Sequence, residues 1–136
     1  MHTFTLDDRL FRDSDLLLRL GLCELRLMRD SRWPWLVLVP QRCSVSEVFD
    51  LTPLDQAMLT FEQNTVAAAL KDITGATKIN IGALGNIVRQ LHVHIIARVE
   101  GDPNWPGPVW GYEKPIPYSA DDQDAFTQKL LEALES

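Results

Sequence analysis

The sequence predicts one domain, spanning residues 1–136, that combines strands with helices. Three observations predict it. Cys23-Glu24-Leu25-Arg26-Leu27-Met28-Arg29 alternates apolar and charged positions, and Trp35 to Val39 is apolar on both faces, with a short polar connection between them. That pattern reads as an antiparallel hairpin. Leu51-Thr52-Pro53-Leu54-Asp55 opens a long helix, and two further strand-like segments follow it. A second helix closes the chain. At 136 residues, 46% of them hydrophobic, the chain has the size and apolar content to bury a core without disulfides.

The elements follow in order. Leu6, Leu10 and Phe11 share one face of a short helix begun near Asp7 or Asp8. Leu16 to Leu18 is a short apolar run closed by Arg19-Leu20-Gly21. In the strand from Cys23, the residues Cys23, Leu25 and Leu27 are expected to face inward, and Glu24, Arg26 and Arg29 to reach water. Asp30-Ser31-Arg32 is the turn. Pro34 and Pro40 bracket the second strand, where proline is tolerated at ends but not within. Thr52 is the helix N-cap, Pro53 suits the first helical position and Asp55 favours the helix N-terminus. Leu54, Met58, Phe61, Ala69 and Ile73 recur at helical spacing and are expected to be the buried stripe, with the end near Thr74-Gly75. Thr77 to Ile81 and Leu91 to Val99 read as strands. Gly101 to Pro117, with Trp105 and Trp110, is rich in proline and glycine and predicts an irregular loop. Ser119 caps the last helix, whose stripe is Phe126, Leu130 and Leu134.

Charge and composition narrow the function. The net charge of −6 argues against a protein that holds nucleic acid or an anionic membrane. Cys23 and Cys43 are too few for a disulfide scaffold. The first residues lack a basic region followed by an apolar core, and no apolar run reaches the roughly 20 residues needed to span a bilayer. A cytoplasmic protein is expected.

Chemistry concentrates in Asn80-Ile-Gly82-Ala-Leu-Gly85-Asn86-Ile-Val-Arg-Gln90-Leu-His92-Val-His94. On a strand, Gln90, His92 and His94 project from one face. The glycines upstream let the backbone approach a ligand. Taken alone, the pair has a second reading as polar residues on the wet face of a strand. Gly82 and Gly85 also suit a hairpin turn, Asn80 and Asn86 also suit turns or caps, and Asp30 is a turn residue by default. His2 reads as a surface histidine without a role. His-x-His can also share a metal, but His2, Cys23, Cys43 and the scattered carboxylates lack ligand spacing, so neither metal nor other cofactor is expected.

With these residues in view, the sequence resembles the histidine triad family, whose signature is three histidines alternating with apolar residues. Gln90-Leu91-His92-Val93-His94-Ile95-Ile96 matches it with Gln90 in place of the first histidine. Asn80 on a strand, Gly85 followed by the amide residue Asn86, and Asp30 before the strand that closes on Pro40 keep the family's order. The resemblance covers about residues 15–100. It implies an α+β fold, an antiparallel sheet of about five strands covered by a long helix, with a C-terminal helix beyond. It implies a homodimer. It implies hydrolysis or transfer of a nucleotidyl group from a small nucleoside phosphate derivative: a phosphoramidate, an adenylated amine or a dinucleoside polyphosphate.

By that match His92 is the nucleophile, His94 its partner at the phosphate, and Gln90 an orienting group. Asn80, Gly85 and Asn86 would serve the phosphoryl group, and Asp30 the ribose. Leu25, Leu27 and Leu38 are either walls for a base or plain core. A histidine suits the nucleophile's role because its ordinary pKa, about 6.5, leaves a ring nitrogen free near neutral pH. Many family members carry serine or threonine after the amide residue and glutamine as that amide; here these are Ile87 and Asn86. The alternative is a nucleotide-binding or sensor protein with weak or no catalysis.

Overall fold

The computed structural model describes residues 3–136, which leaves His2 outside the described residues. Five strands form one antiparallel sheet: β1 (Ser14–Arg19), β2 (Cys23–Met28), β3 (Trp35–Pro40), β4 (Lys78–Gly82) and β5 (Val93–Arg98), in the order β1-β2-β3-β5-β4. The helices are α1 (Asp8–Asp13), α2 (Pro53–Thr74) and α3 (Ala120–Glu135). This is the predicted α+β architecture.

Alternation along the strands sorts two cores. Leu25, Leu27, Leu36, Leu38, Val93 and Ile95 pack with Leu59, Val66 and Leu70 of α2 and Leu130 of α3. Each fully buried leucine is worth roughly 1.5–3 kcal/mol, so this layer dominates stability. The opposite face carries a smaller cluster of Trp33, Trp35, Ile96 and Val109, flanked by Met28, Trp110 and Tyr112. As the apolar pattern of Trp35 to Val39 predicts, β3 is central and buried throughout.

The helix boundaries follow their local signals. Thr52 accepts from the Asp55 N–H at 3.1 Å, and Gly75 ends α2 at φ 65°, a left-handed conformation that favours glycine. Asp7 caps α1 and Ser119 caps α3.

One run gains an element and two expectations are corrected. Leu16 to Leu18 lies inside a strand, β1, whose register against β2 shifts between Leu16 and Leu18. That irregularity erases the period of two by which a strand is read. Glu24 and Arg26 do not reach water. The two form an ion pair at 2.8 Å, and Arg26 also donates to the Ser14 hydroxyl and carbonyl. Paired and hydrogen-bonded, both charges are held inside.

The second correction concerns α2. Its buried positions are Leu59, Glu62, Val66 and Leu70, whereas Leu54 is 75% and Phe61 67% exposed, with Met58 beside them. Glu62 is buried because its carboxylate accepts from the N–H groups of Leu22 and Cys23 at 2.8 and 3.0 Å, capping the β1–β2 turn. Burial and this carboxylate push the Cys23 thiol far above its ordinary range, which makes it unreactive.

Candidate active site

His92 immediately precedes β5 and His94 lies on it, across from Val37 of β3 and Gly82 of β4. Their rings meet edge to face with centroids 4.9 Å apart, and both residues are buried. The His92 Nδ1 sits 2.7 Å from the backbone carbonyl of Gln90. A carbonyl can only accept, so Nδ1 carries a proton, and in the neutral ring Nε2 is the nitrogen that keeps its lone pair. His92 also lines a cavity of about 360 Å³, whose other walls include Ser46, Phe49, Leu84, Gly85 and Arg89. Gly85 turns at φ 70°, a conformation costly for other residues. The N–H groups of Gly85, Asn86 and Ile87 have no protein acceptor among the described residues. They are donors available to an anion at the cavity mouth.

The other predicted residues are distributed differently. Gln90 does not turn toward the histidines with its side chain. Its Oε1 accepts from the Asp7 N–H at 2.8 Å, and its Nε2 donates to the Thr5 carbonyl at 2.9 Å. It ties down the segment before α1, which Arg9 fastens again by donating to the Ile87 carbonyl. Only its backbone serves His92. Asn80 accepts from Arg98 at 3.2 Å. Asn86 is exposed beside Gly85. Asp30 is 3% exposed, does not line the cavity, and pairs with Arg32 at 2.8 Å. It lines instead a second cavity, of about 270 Å³, together with Trp35 and Met28. Leu25, Leu27 and Leu38 lie under α2 on the face away from His94, and so are core rather than base walls.

Arg98 and Trp35 are contributors that the sequence does not single out. The irregular loop before α3 is anchored by Arg98, which pairs with Asp102 at 2.7 Å and donates to the Gly107 and Pro103 carbonyls. That anchoring brings Trp110 onto His94, with centroids 5.4 Å apart. Gly82 makes room for it: a β-carbon there would stand 3.1 Å from the Trp110 ring. Trp105 is half-buried, with the Arg98 guanidinium 5.5 Å from its ring centroid. On the other side, Trp35 packs against His94 and donates its indole N–H to the His94 Nδ1 at 2.9 Å. The proline and glycine content predicted the loop but not its docking, and nothing local in Trp35 marks a cross-strand donor.

Enclosure has an electrostatic result. Burial, aided by His92, pushes His94 down to about 3. Among the described residues the titratable group against it is His92; Val37, Gly82, Trp35 and Trp110 supply the rest of its surroundings. The folded value lies below the unfolded one, about 6.5. On acidification the unfolded chain therefore binds this proton first, and stability falls as the pH drops from about 6.5 toward 3. Wild type is expected to lose about 2–3 kcal/mol more than His94→Asn between pH 7 and 4.5, read from urea midpoints. Equal losses in the two proteins would refute it.

A five-stranded antiparallel sheet under helices, with two histidines meeting at one end of an inner strand beside a glycine turn, places the chain in the histidine triad class. The chain belongs to the histidine triad (HIT) family: residues 10–101 match the HIT domain. A histidine triad protein from Sinorhizobium meliloti is 66% identical, with 96% of this chain and 97% of that chain covered at a TM-score of 0.95. One from Bradyrhizobium japonicum is 42% identical, covering 98% and 99% at 0.96. A hypothetical histidine triad nucleotide-binding protein from Sulfolobus tokodaii, 17% identical, shares the fold at 0.68 over 90% and 84% of the chains. No curated protein matches the chain. Among the described residues no helix is long and apolar enough to cross a membrane.

Proposed function

We propose that this protein is a nucleotidyl hydrolase or transferase acting on a small nucleoside phosphate derivative through a covalent adduct on His92. The observation that carries this is the 2.7 Å contact between His92 Nδ1 and the Gln90 carbonyl. It leaves Nε2 unprotonated at the cavity wall, and the same carbonyl stabilises the positive ring once Nε2 is bonded. The lone pair forms a P–N bond to the α-phosphorus while the bond to the leaving group breaks, and the leaving group takes up a proton. Water then adds to phosphorus, the P–N bond breaks with its electron pair returning to Nε2, and the water proton passes to solvent. The free N–H groups at Gly85 to Ile87 support charge developing on the phosphoryl oxygens.

The cavity wall carries one cation, Arg89, and one acid, Glu47, among apolar Val48, Phe49, Leu84 and Leu91. That balance suits an uncharged leaving group, as in a phosphoramidate or adenylated amine, better than a polyphosphate. The test is intact mass after incubation with an adenosine phosphoramidate and, separately, a dinucleoside polyphosphate. A nucleotidyl adduct that requires His92 is expected, formed faster from the phosphoramidate. Nucleotide binding without adduct or product would instead establish the binding-protein reading, which the apolar, exposed Ile87 favours.

The protein is read further as a cytoplasmic homodimer with no nucleic-acid or membrane partner. Its β4 edge is unpaired among the described residues, and Leu54, Met58 and Phe61 form an exposed apolar stripe on α2. An open strand edge and an apolar stripe of this kind are usually covered by a second copy. Phe61→Asp is expected to convert a dimer to a monomer in light scattering at micromolar concentration. A monomeric wild type would dispose of the idea.

A further inference from the structure

We propose that Trp35 is a positioning residue: its indole holds His94 in one tautomer, as a fixed Nε2–H donor on the ring that packs against His92. The inference rests on the nucleotidyl-transfer reading for its purpose, but not for its geometry. An indole N–H can donate and never accept. With Trp35 Nε1 2.9 Å from His94 Nδ1, that nitrogen must be the acceptor, so the neutral ring carries its proton on Nε2. His92 has the opposite arrangement, because its Nδ1 faces a carbonyl.

The two rings are thus complementary. One presents a lone pair for attack on phosphorus, and the other presents a proton to an oxygen of the same phosphoryl group or its leaving group. A histidine, asparagine or glutamine at position 35 could offer either a donor or an acceptor, and His94 could then reverse its tautomer. Indole offers no such choice, and it does not titrate.

The indole is itself held in place. Trp35 begins β3, pairs across to Ile96, and is 8% exposed. Trp33 packs on it edge to face with centroids 6.1 Å apart, and Trp33 is fixed by donating to the Pro103 carbonyl at 3.0 Å. Trp110 closes the far side of His94. The His94 ring therefore has little freedom to rotate out of the bond.

The test is long-range ¹H–¹⁵N correlation of the histidine side chains in the ¹⁵N-labelled protein without substrate. Wild type at pH 8.5 is expected to show His94 protonated on Nε2 and His92 on Nδ1, with the His94 pattern unchanged down to pH 5.5. Trp35→Phe keeps an aromatic ring and removes the donor. Its His94 nitrogens are expected to move toward each other in shift, as the two tautomers mix. Adduct formation from the phosphoramidate should slow about tenfold or more, as for loss of a positioned proton donor. A wild-type His94 protonated on Nδ1 overturns the proposal with no variant needed, so a misfolded Trp35→Phe does not leave it open. Unaltered His94 shifts in a folded Trp35→Phe also overturn it. Absence of any adduct, with the tautomers as stated, counts against the enzymatic reading and leaves the role of Trp35 standing.

Discussion

His92→Asn is expected to abolish the nucleotidyl adduct and to lower turnover by about four orders of magnitude or more, the scale seen when a nucleophile is removed. Nucleotide affinity should change only a few-fold. The cavity walls and the N–H groups of Gly85 to Ile87 do not depend on the imidazole. Asparagine retains a polar group but offers no nucleophilic ring nitrogen. Gln90→Ala is the informative companion. The group that sets the His92 tautomer is the Gln90 carbonyl, which alanine preserves. The lost side chain instead frees the Thr5–Asp7 segment, so Gln90→Ala should retain adduct formation while amide exchange at Asp7 accelerates. The two measurements are intact mass and hydrogen exchange. If His92→Asn still yields an adduct, or Gln90→Ala is as inactive as His92→Asn, this division of labour is wrong.

Arg98→Leu is expected to cost about 3–5 kcal/mol, because it leaves a buried carboxylate without its partner. Arg98 is 1% exposed and holds Asp102 through two short bonds of 2.8 and 2.7 Å. It also donates to Asn80 and to the Gly107 and Pro103 carbonyls, so one side chain ties β4 to both limbs of the loop. The loss should reach the site, since Trp110 rests on His94 only while that loop is docked. Urea unfolding followed by tryptophan fluorescence reads the stability. Arg98→Leu/Asp102→Leu should recover part of the loss, since no charge then remains buried alone. A cost below 1 kcal/mol for the single variant would show that the loop holds without its anchor.

These cases also mark where sequence and structure part. The ends of α2 are legible because Thr52, Pro53 and Gly75 act on their own neighbours. The buried stripe of that helix is not. Leu54, Met58 and Phe61 are as apolar as Leu59, Val66 and Leu70, and which set turns inward depends on where the sheet lies. Glu62 would never be placed inside from its type, because its acceptor role is filled by two N–H groups about 40 residues upstream. The histidine strand is legible for the same reason as the caps: alternation and a nearby glycine are local. Gln90 shows the limit. Alternation aims it along with His92 and His94, yet its amide is claimed by backbone 83 and 85 residues upstream. Asp30 and Arg32 read locally as a turn, and the ion pair across that turn is not visible in residue type alone.

The link from Gln90 to Thr5 and Asp7 bears on how the protein is handled. An affinity tag joined ahead of Phe4 would pull on the strap that is fastened to the nucleophile's own loop. A tag after Ser136 meets no such connection, since the last residue only donates its hydroxyl to the Glu132 carbonyl within α3's final turn. Kinetic work on this chain therefore calls for a C-terminal tag, or for removal of an N-terminal one before any rate is compared.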